Sequence, residues 1–153
     1  MERTIRKNFW SYSMRFLLIH LVTWAVIASL FLLFKEKLPE SRRVALDFFR
    51  PYRLGWPAVA PETIRGIILA LVLFPFYDLF VKSNRGHLVL FSALWGLAIL
   101  GSIEPLPGSF EGMIYTKTTF GEHLLVLVAT AVQVFLFCTF FLRWEKRGRG
   151  NKA

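Results

Sequence analysis

The chain has 153 residues, 55% of them hydrophobic and 16% aromatic, a formal charge of +9 and a mean hydropathy of +0.48. One ordinary domain fills that length, and the apolar content is that of a membrane protein rather than a soluble one. The basic residues cluster in tails and loops beside apolar runs, without zinc-finger spacing or an RNA-binding motif, so the expected partner is a bilayer with anionic headgroups and not nucleic acid.

In chain order, the first apolar run covers 16–34, "FLLIHLVTWAVIASLFLLF", and approaches the ~20 residues that cross a bilayer core. It follows a basic N-region, but it is longer than a signal-peptide core and no small-x-small site precedes Lys35, so it reads as an uncleaved span. A connection follows in which Ser41 can cap a short helix over 41–50 that Pro51 ends. Its Val44, Ala45, Phe48 and Phe49 oppose Arg43, Asp47 and Arg50, the pattern of a helix lying in the headgroup layer.

The second run covers 64–81, and Pro75 should kink it by deleting a backbone donor. Only "KSNRGH" separates it from the third run, 88–103, which forces an antiparallel helical hairpin. A Pro- and Gly-rich stretch, "EPLPGSFEGMIYT", then leads to the fourth run, 123–142. Pro105 biases Glu104 away from helix, and Pro107-Gly108 makes a turn. The predicted fold is all-α: one membrane domain, an antiparallel bundle of four transmembrane helices with an interfacial helix between the first two. A soluble bundle would need polar helix faces that these runs lack. Eleven Lys and Arg fall on the side of both termini and eight on the other, which predicts cytoplasmic N- and C-termini in the cell membrane.

Polar groups at membrane depth are costly, so each is a site candidate. Asp78 lies one helical turn before Lys82 and can pair with it. His20 lies within the first span, with Thr23 near its face, and has no haem-ligating motif around it. In the fourth span His123, Val126, Thr130, Gln133 and Phe137 share a narrow face that should meet other helices. Ser92 with Gly96, and Ala98 with Ser102, allow close helix packing in the third span. Glu104, Glu111, Tyr115, Lys117, Glu122 and His123 gather in the last connection, either as a solvated loop with a helix cap or as a lid whose carboxylates meet a ligand. The lone Cys138 lies in an apolar run and reads as a small hydrophobe, and no metal or cofactor is expected.

No catalytic or phosphate-binding motif appears. Three functions fit this sequence. The first is transport of a small solute or ion by an oligomer, lined by Asp78, Glu104 and the stripe from His123 to Gln133. The second is an accessory or regulatory subunit bound to a protein partner in the membrane. The third is a lipid-modifying enzyme using Glu104, Glu111, Tyr115 and His123, with Arg53 or Lys117 holding a headgroup.

Overall fold

The computed structural model describes residues 2–37, 56–100, 107–115 and 118–150. The expected interfacial helix over 41–50 lies outside them, as do Ser102 and Glu104. The described residues form helices α1 (Glu2–Glu36), α2 (Trp56–Leu73), a 3₁₀ turn (Phe74–Phe76), α3 (Tyr77–Val81), α4 (Gly86–Leu100), α5 (Phe110–Tyr115) and α6 (Phe120–Gly150), with no strand among them.

Three helical segments are long and apolar enough to cross a membrane: Phe9–Phe34, Ala58–Val81 and Phe120–Arg147. Of the third expected span, 88–103, the described part is residues 88–100, within α4. At 15 residues, α4 rises about 22 Å, against about 30 Å for a hydrocarbon core. The second span begins at Trp56 rather than at residue 64, and this draws Glu62 into the helix one turn before Arg65. Pro75 breaks that segment as expected, converting it to a 3₁₀ turn before α3 resumes. Lys82–Arg85 then reverse the chain into α4. A side chain at Gly86 would meet the Phe80 carbonyl oxygen at 1.7 Å, so only glycine fits that reversal.

Each long helix has two distinct apolar faces. On α1, Met14, Leu18, Val22, Val26 and Leu30 recur at every fourth residue and are exposed. Tyr12, Phe16, Ile19 and Thr23 point the other way and are buried. On α6, Leu124, Val128, Val132 and Phe135 face outward, while Phe137, Cys138, Phe141 and Leu142 face inward. Water would not tolerate so continuous an apolar exterior; acyl chains would.

The core joins α1, the 3₁₀ turn, α3 and α6 through interlocked rings. Phe16 lies edge-on to Phe137 and Phe141, with centroids 4.7 and 5.3 Å apart, and Tyr12 packs on Phe74, Tyr77 and Phe141. Such pairs add about 0.5–1.5 kcal/mol each beyond area burial. They set the start of α1 beside the end of α6. The α4 helix packs along α6, where His87 Nε2 lies 3.0 Å from the Thr139 hydroxyl.

Candidate functional site

His20 stands near the middle of the apolar stretch of α1 and is buried. Its Nε2 lies 3.3 Å from Oε2 of Glu62 on α2. That is ion-pair distance without hydrogen-bond alignment: both atoms are shut from solvent and neither has a hydrogen-bond partner. The other Glu62 oxygen lies 3.8 Å from the Arg65 guanidinium, one turn along α2. Glycine permits this approach. A Cβ on Gly66 would sit 2.8 Å from Leu17 Cδ1 and 2.9 Å from His20 Cδ2.

Beside His20 the bundle holds a cavity of about 350 Å³, within the usual size range of small-ligand sites. Phe16, His20 and Thr23 line it from α1, and Arg65 and Leu69 from α2. Leu94, Trp95 and Ala98 line it from α4, and Val126, Thr130, Gln133 and Phe137 from α6. The turn at Pro107–Ser109 closes another side. The walls are thus mainly apolar with a few polar groups between them. Thr23 donates its hydroxyl to the carbonyls of Ile19 and His20, and Thr130 donates to Val126, so both leave oxygen lone pairs free to accept. Trp95 stacks on Phe91, and its Nε1–H is buried without an acceptor.

One end of the cavity is stopped by Phe16 and Phe137, which pack on Phe141. Beyond these rings lies a second polar layer. Glu145 of α6 accepts from Arg15 Nη1 at 2.9 Å through one oxygen and from the Tyr77 hydroxyl at 2.5 Å through the other. The guanidinium also donates to Ser11 Oγ. Two polar layers are therefore separated by a layer of aromatic rings.

The stripe foreseen on α6 faces the cavity through Val126, Thr130, Gln133 and Phe137. His123, at its upper end, instead accepts the Gly108 N–H at 3.0 Å through Nδ1. Gly108 has φ of +87°, and a Cβ there would meet Val126 at 2.8 Å, so the Pro107-Gly108 turn requires glycine. Glu122 accepts the Thr119 N–H at 2.9 Å, which caps α6. Glu111 is half-buried in the first turn of α5, which Ser109 caps by accepting the Gly112 N–H, and Tyr115 is exposed. Asp78 is exposed and paired with Lys82, at the far side of the aromatic layer from the cavity. Ser92 is exposed, and a Cβ at Gly96 would meet nothing within 4 Å, so the close helix approach expected there occurs at Gly66 instead. Ala98 lines the cavity rather than a helix contact.

Glu62, Trp95, Tyr77 and Glu145 are the functional candidates the sequence reading passed over. Glu62 precedes the apolar run and Glu145 sits in a basic tail, so both resemble solvated ends. Their one sequence signal is an acid within a turn or two of an apolar run. Among the described residues no group of three or more His, Cys, Asp or Glu could hold a metal ion. No family model matches the chain, and no curated protein and no solved structure is significantly similar to it.

Proposed function

We propose that the chain is a small multi-pass membrane protein that takes a small solute or ion into the cavity beside His20 and passes it across the bilayer. The observation that carries this reading is a mid-span cavity whose mainly apolar walls carry a few polar groups, stopped at one end by the Phe16–Phe137–Phe141 rings. Polar groups at such depth are expensive unless they serve a path or a ligand. Passage requires those rings to separate and the Arg15–Glu145 layer beyond them to rearrange, which makes the aromatic layer a gate. The cytoplasmic side is assigned to this gated end, where both termini lie, on the excess of Lys and Arg there. Asp78 belongs to the mouth of the path at that end. The path is completed in an oligomer, since a single chain of this size encloses little volume.

Sided labelling tests the reading without knowledge of the substrate. A Thr130→Cys variant in a Cys138→Ser background, in oriented vesicles, is treated with an impermeant maleimide from either face. Translocation predicts that the thiol reacts from both faces with time. Reaction from one face alone under every condition makes the cavity a closed-ended pocket and removes the transport reading.

A second reading has one observation in its favour. The exposed Ser92 and open Gly96 face of α4 suits a partner helix, as in an accessory subunit. Native mass spectrometry from mild detergent separates the two. A homo-oligomer supports transport, and a stoichiometric second protein supports the accessory role.

A further inference from the structure

Resting on the transport reading above, we infer that the molecule carried is a long-chain fatty acid, which enters the cavity sideways from the acyl chains and sets its carboxyl group on Arg65.

The cavity is open to the side. Arg65 and Leu69 of α2 line it, and both also line a second hollow of about 440 Å³ on the outer face of that helix, with Pro61, Ile64 and Ile68. The α2 helix packs along α1 and α4 packs along α6, but α2 and α4 do not pack along each other. On the α4 side Leu97 borders the cavity and is exposed. A path therefore leads from the outer groove past Arg65 into the bundle. Ile64, Ile67 and Ile68 beside it are all exposed, so what enters this way comes from the acyl layer and not from water.

Arg65 selects the head group. Its side chain is 62% exposed, within reach of an entering molecule, and its neighbour Gly66 abuts the buried His20. Its one partner among the described residues is Glu62 Oε1 at 3.8 Å, beyond hydrogen-bond distance, so the guanidinium N–H groups lack an acceptor. Hydrocarbon supplies none, and unsatisfied donors at membrane depth are expensive. A carboxylate supplies two oxygens in the plane that the guanidinium fork fits. The chain behind it lies in the apolar groove of Pro61, Ile64 and Ile68.

The charges at the site leave room for a second acid. Glu62 lies between two bases, with Oε2 facing His20 and Oε1 facing Arg65. Among the described residues lining the cavity, His20 and Arg65 are the only titratable ones; the α4 and α6 walls and the Pro107–Ser109 turn bring none. The His20 ring turns its Cδ2–Nε2 edge to α2, against Gly66 and Glu62, which leaves Nδ1 on the opposite edge, toward the cavity. A fatty acid dissolved in the bilayer arrives neutral. Its O–H bond breaks, the proton passes to His20 Nδ1, and the electron pair stays on the carboxylate, which turns to Arg65. Two cations then face two carboxylates, and no bare ion has been taken out of water.

Palmitic acid bearing a diazirine in mid-chain is the probe, because near-ultraviolet light cross-links it to whatever its chain touches. The purified full chain in phosphatidylcholine nanodiscs is irradiated with increasing probe, and the labelled peptides are mapped by mass spectrometry. Saturable labelling is expected within 61–69 of α2 or 94–98 of α4. Arg65→Gln should weaken binding about tenfold or more, the worth of a hydrogen bond to a charged group. Arg85→Gln, at an exposed base before α4, should leave binding unchanged. Palmitic acid labelled with carbon-13 at the carboxyl reads the proton by its NMR shift. The bound signal should be that of a carboxylate in the parent and of the neutral acid in His20→Gln; a neutral-acid signal in the parent would overturn the transfer to His20.

A second measurement uses the unaltered protein, so the test survives if Arg65→Gln fails to fold. Hexadecanol has the same chain and no acid, and it should displace the probe several times less well than palmitic acid does. Equal displacement would show a groove that takes any chain without reading the acid, and would overturn the inference. So would unsaturable labelling, or labelling confined to outward residues of α1 such as Val22 and Val26. Displacement by phosphatidylglycerol as strong as by palmitic acid would make this a phospholipid headgroup site, and would equally overturn it. The two proposals fail separately. Saturable fatty-acid binding with one-sided Thr130→Cys labelling keeps the ligand and removes transport; two-sided labelling without fatty-acid binding does the reverse.

Discussion

Arg15 and Glu145, 130 residues apart in the chain, meet at 2.9 Å and tie the start of α1 to the end of α6. The Glu145 side chain is only 4% exposed, so its charge depends on Arg15 and on the Tyr77 hydroxyl for compensation. Glu145→Ala should destabilise the fold by about 3 kcal/mol, the low end for breaking a buried pair, because Arg15 keeps partial exposure. Tyr77→Phe removes one hydrogen bond to a charge and should cost about 1.5 kcal/mol. Thermal unfolding in detergent reads both. The double replacement Arg15→Met with Glu145→Leu should recover more than half of the Glu145→Ala loss; additive losses would mean the two residues act independently.

Glycines at two positions should respond oppositely to alanine. At Gly66 the added methyl meets the Leu17 and His20 side chains inside 3.0 Å, so Leu17 and the buried His20 ring must shift, at a cost of about 1–3 kcal/mol. At Gly96 nothing lies within 4 Å, and the gain in helix propensity is worth up to about 1 kcal/mol. The monomer's thermal midpoint should fall for Gly66→Ala and hold or rise for Gly96→Ala. A loss at Gly96 as large as that at Gly66 would place a packing partner against α4.

The contrast between these glycines shows where sequence reading reaches its limit. Hydropathy finds membrane-length runs because every residue of a run faces an apolar medium, and the first, second and fourth runs each mark a long helix. Helical periodicity likewise finds faces, so the α6 stripe that lines the cavity was legible as a stripe. Which helix a face meets is a long-range fact that spacing does not carry. Small residues at Ser92 and Gly96 therefore promised a contact that Gly66 makes instead. The extension of α2 back to Trp56 was hidden by Glu62 and Thr63, whose polarity ends an apolar run. Thr63 in fact bonds its own helix at Val59, and Glu62 turns to His20.

The N-terminus of α6 carries a Thr-x-x-Glu cap, with the Glu122 carboxylate on the Thr119 N–H and the Glu122 and His123 N–H groups on the Thr119 carbonyl. Glu122→Ala should cost about 1 kcal/mol and fray the first turn. Because His123 holds the Gly108 turn from this same helix turn, fraying should also loosen Pro107–Ser109 at the cavity wall. Hydrogen exchange at Gly108 and Gly112 should quicken in Glu122→Ala. Protection unchanged at both amides would mean the turn holds itself.

Phe16 decides whether the aromatic layer is a seal. It is 1% exposed, borders the cavity and contacts both Phe137 and Phe141. Phe16→Ala should cost about 3–5 kcal/mol, since the rings around it are anchored on α1 and α6 and cannot close the gap. Phe16→Leu should cost about 1–2 kcal/mol while keeping the layer filled. Sided labelling of Thr130→Cys distinguishes stability from sealing. In the alanine variant the thiol should react markedly faster from the Arg15–Glu145 face, and in the leucine variant at close to the parent rate. Equal acceleration in both would trace the reactivity to general loosening. No acceleration in either would mean that the Arg15–Glu145–Tyr77 layer, and not the rings, bars the way.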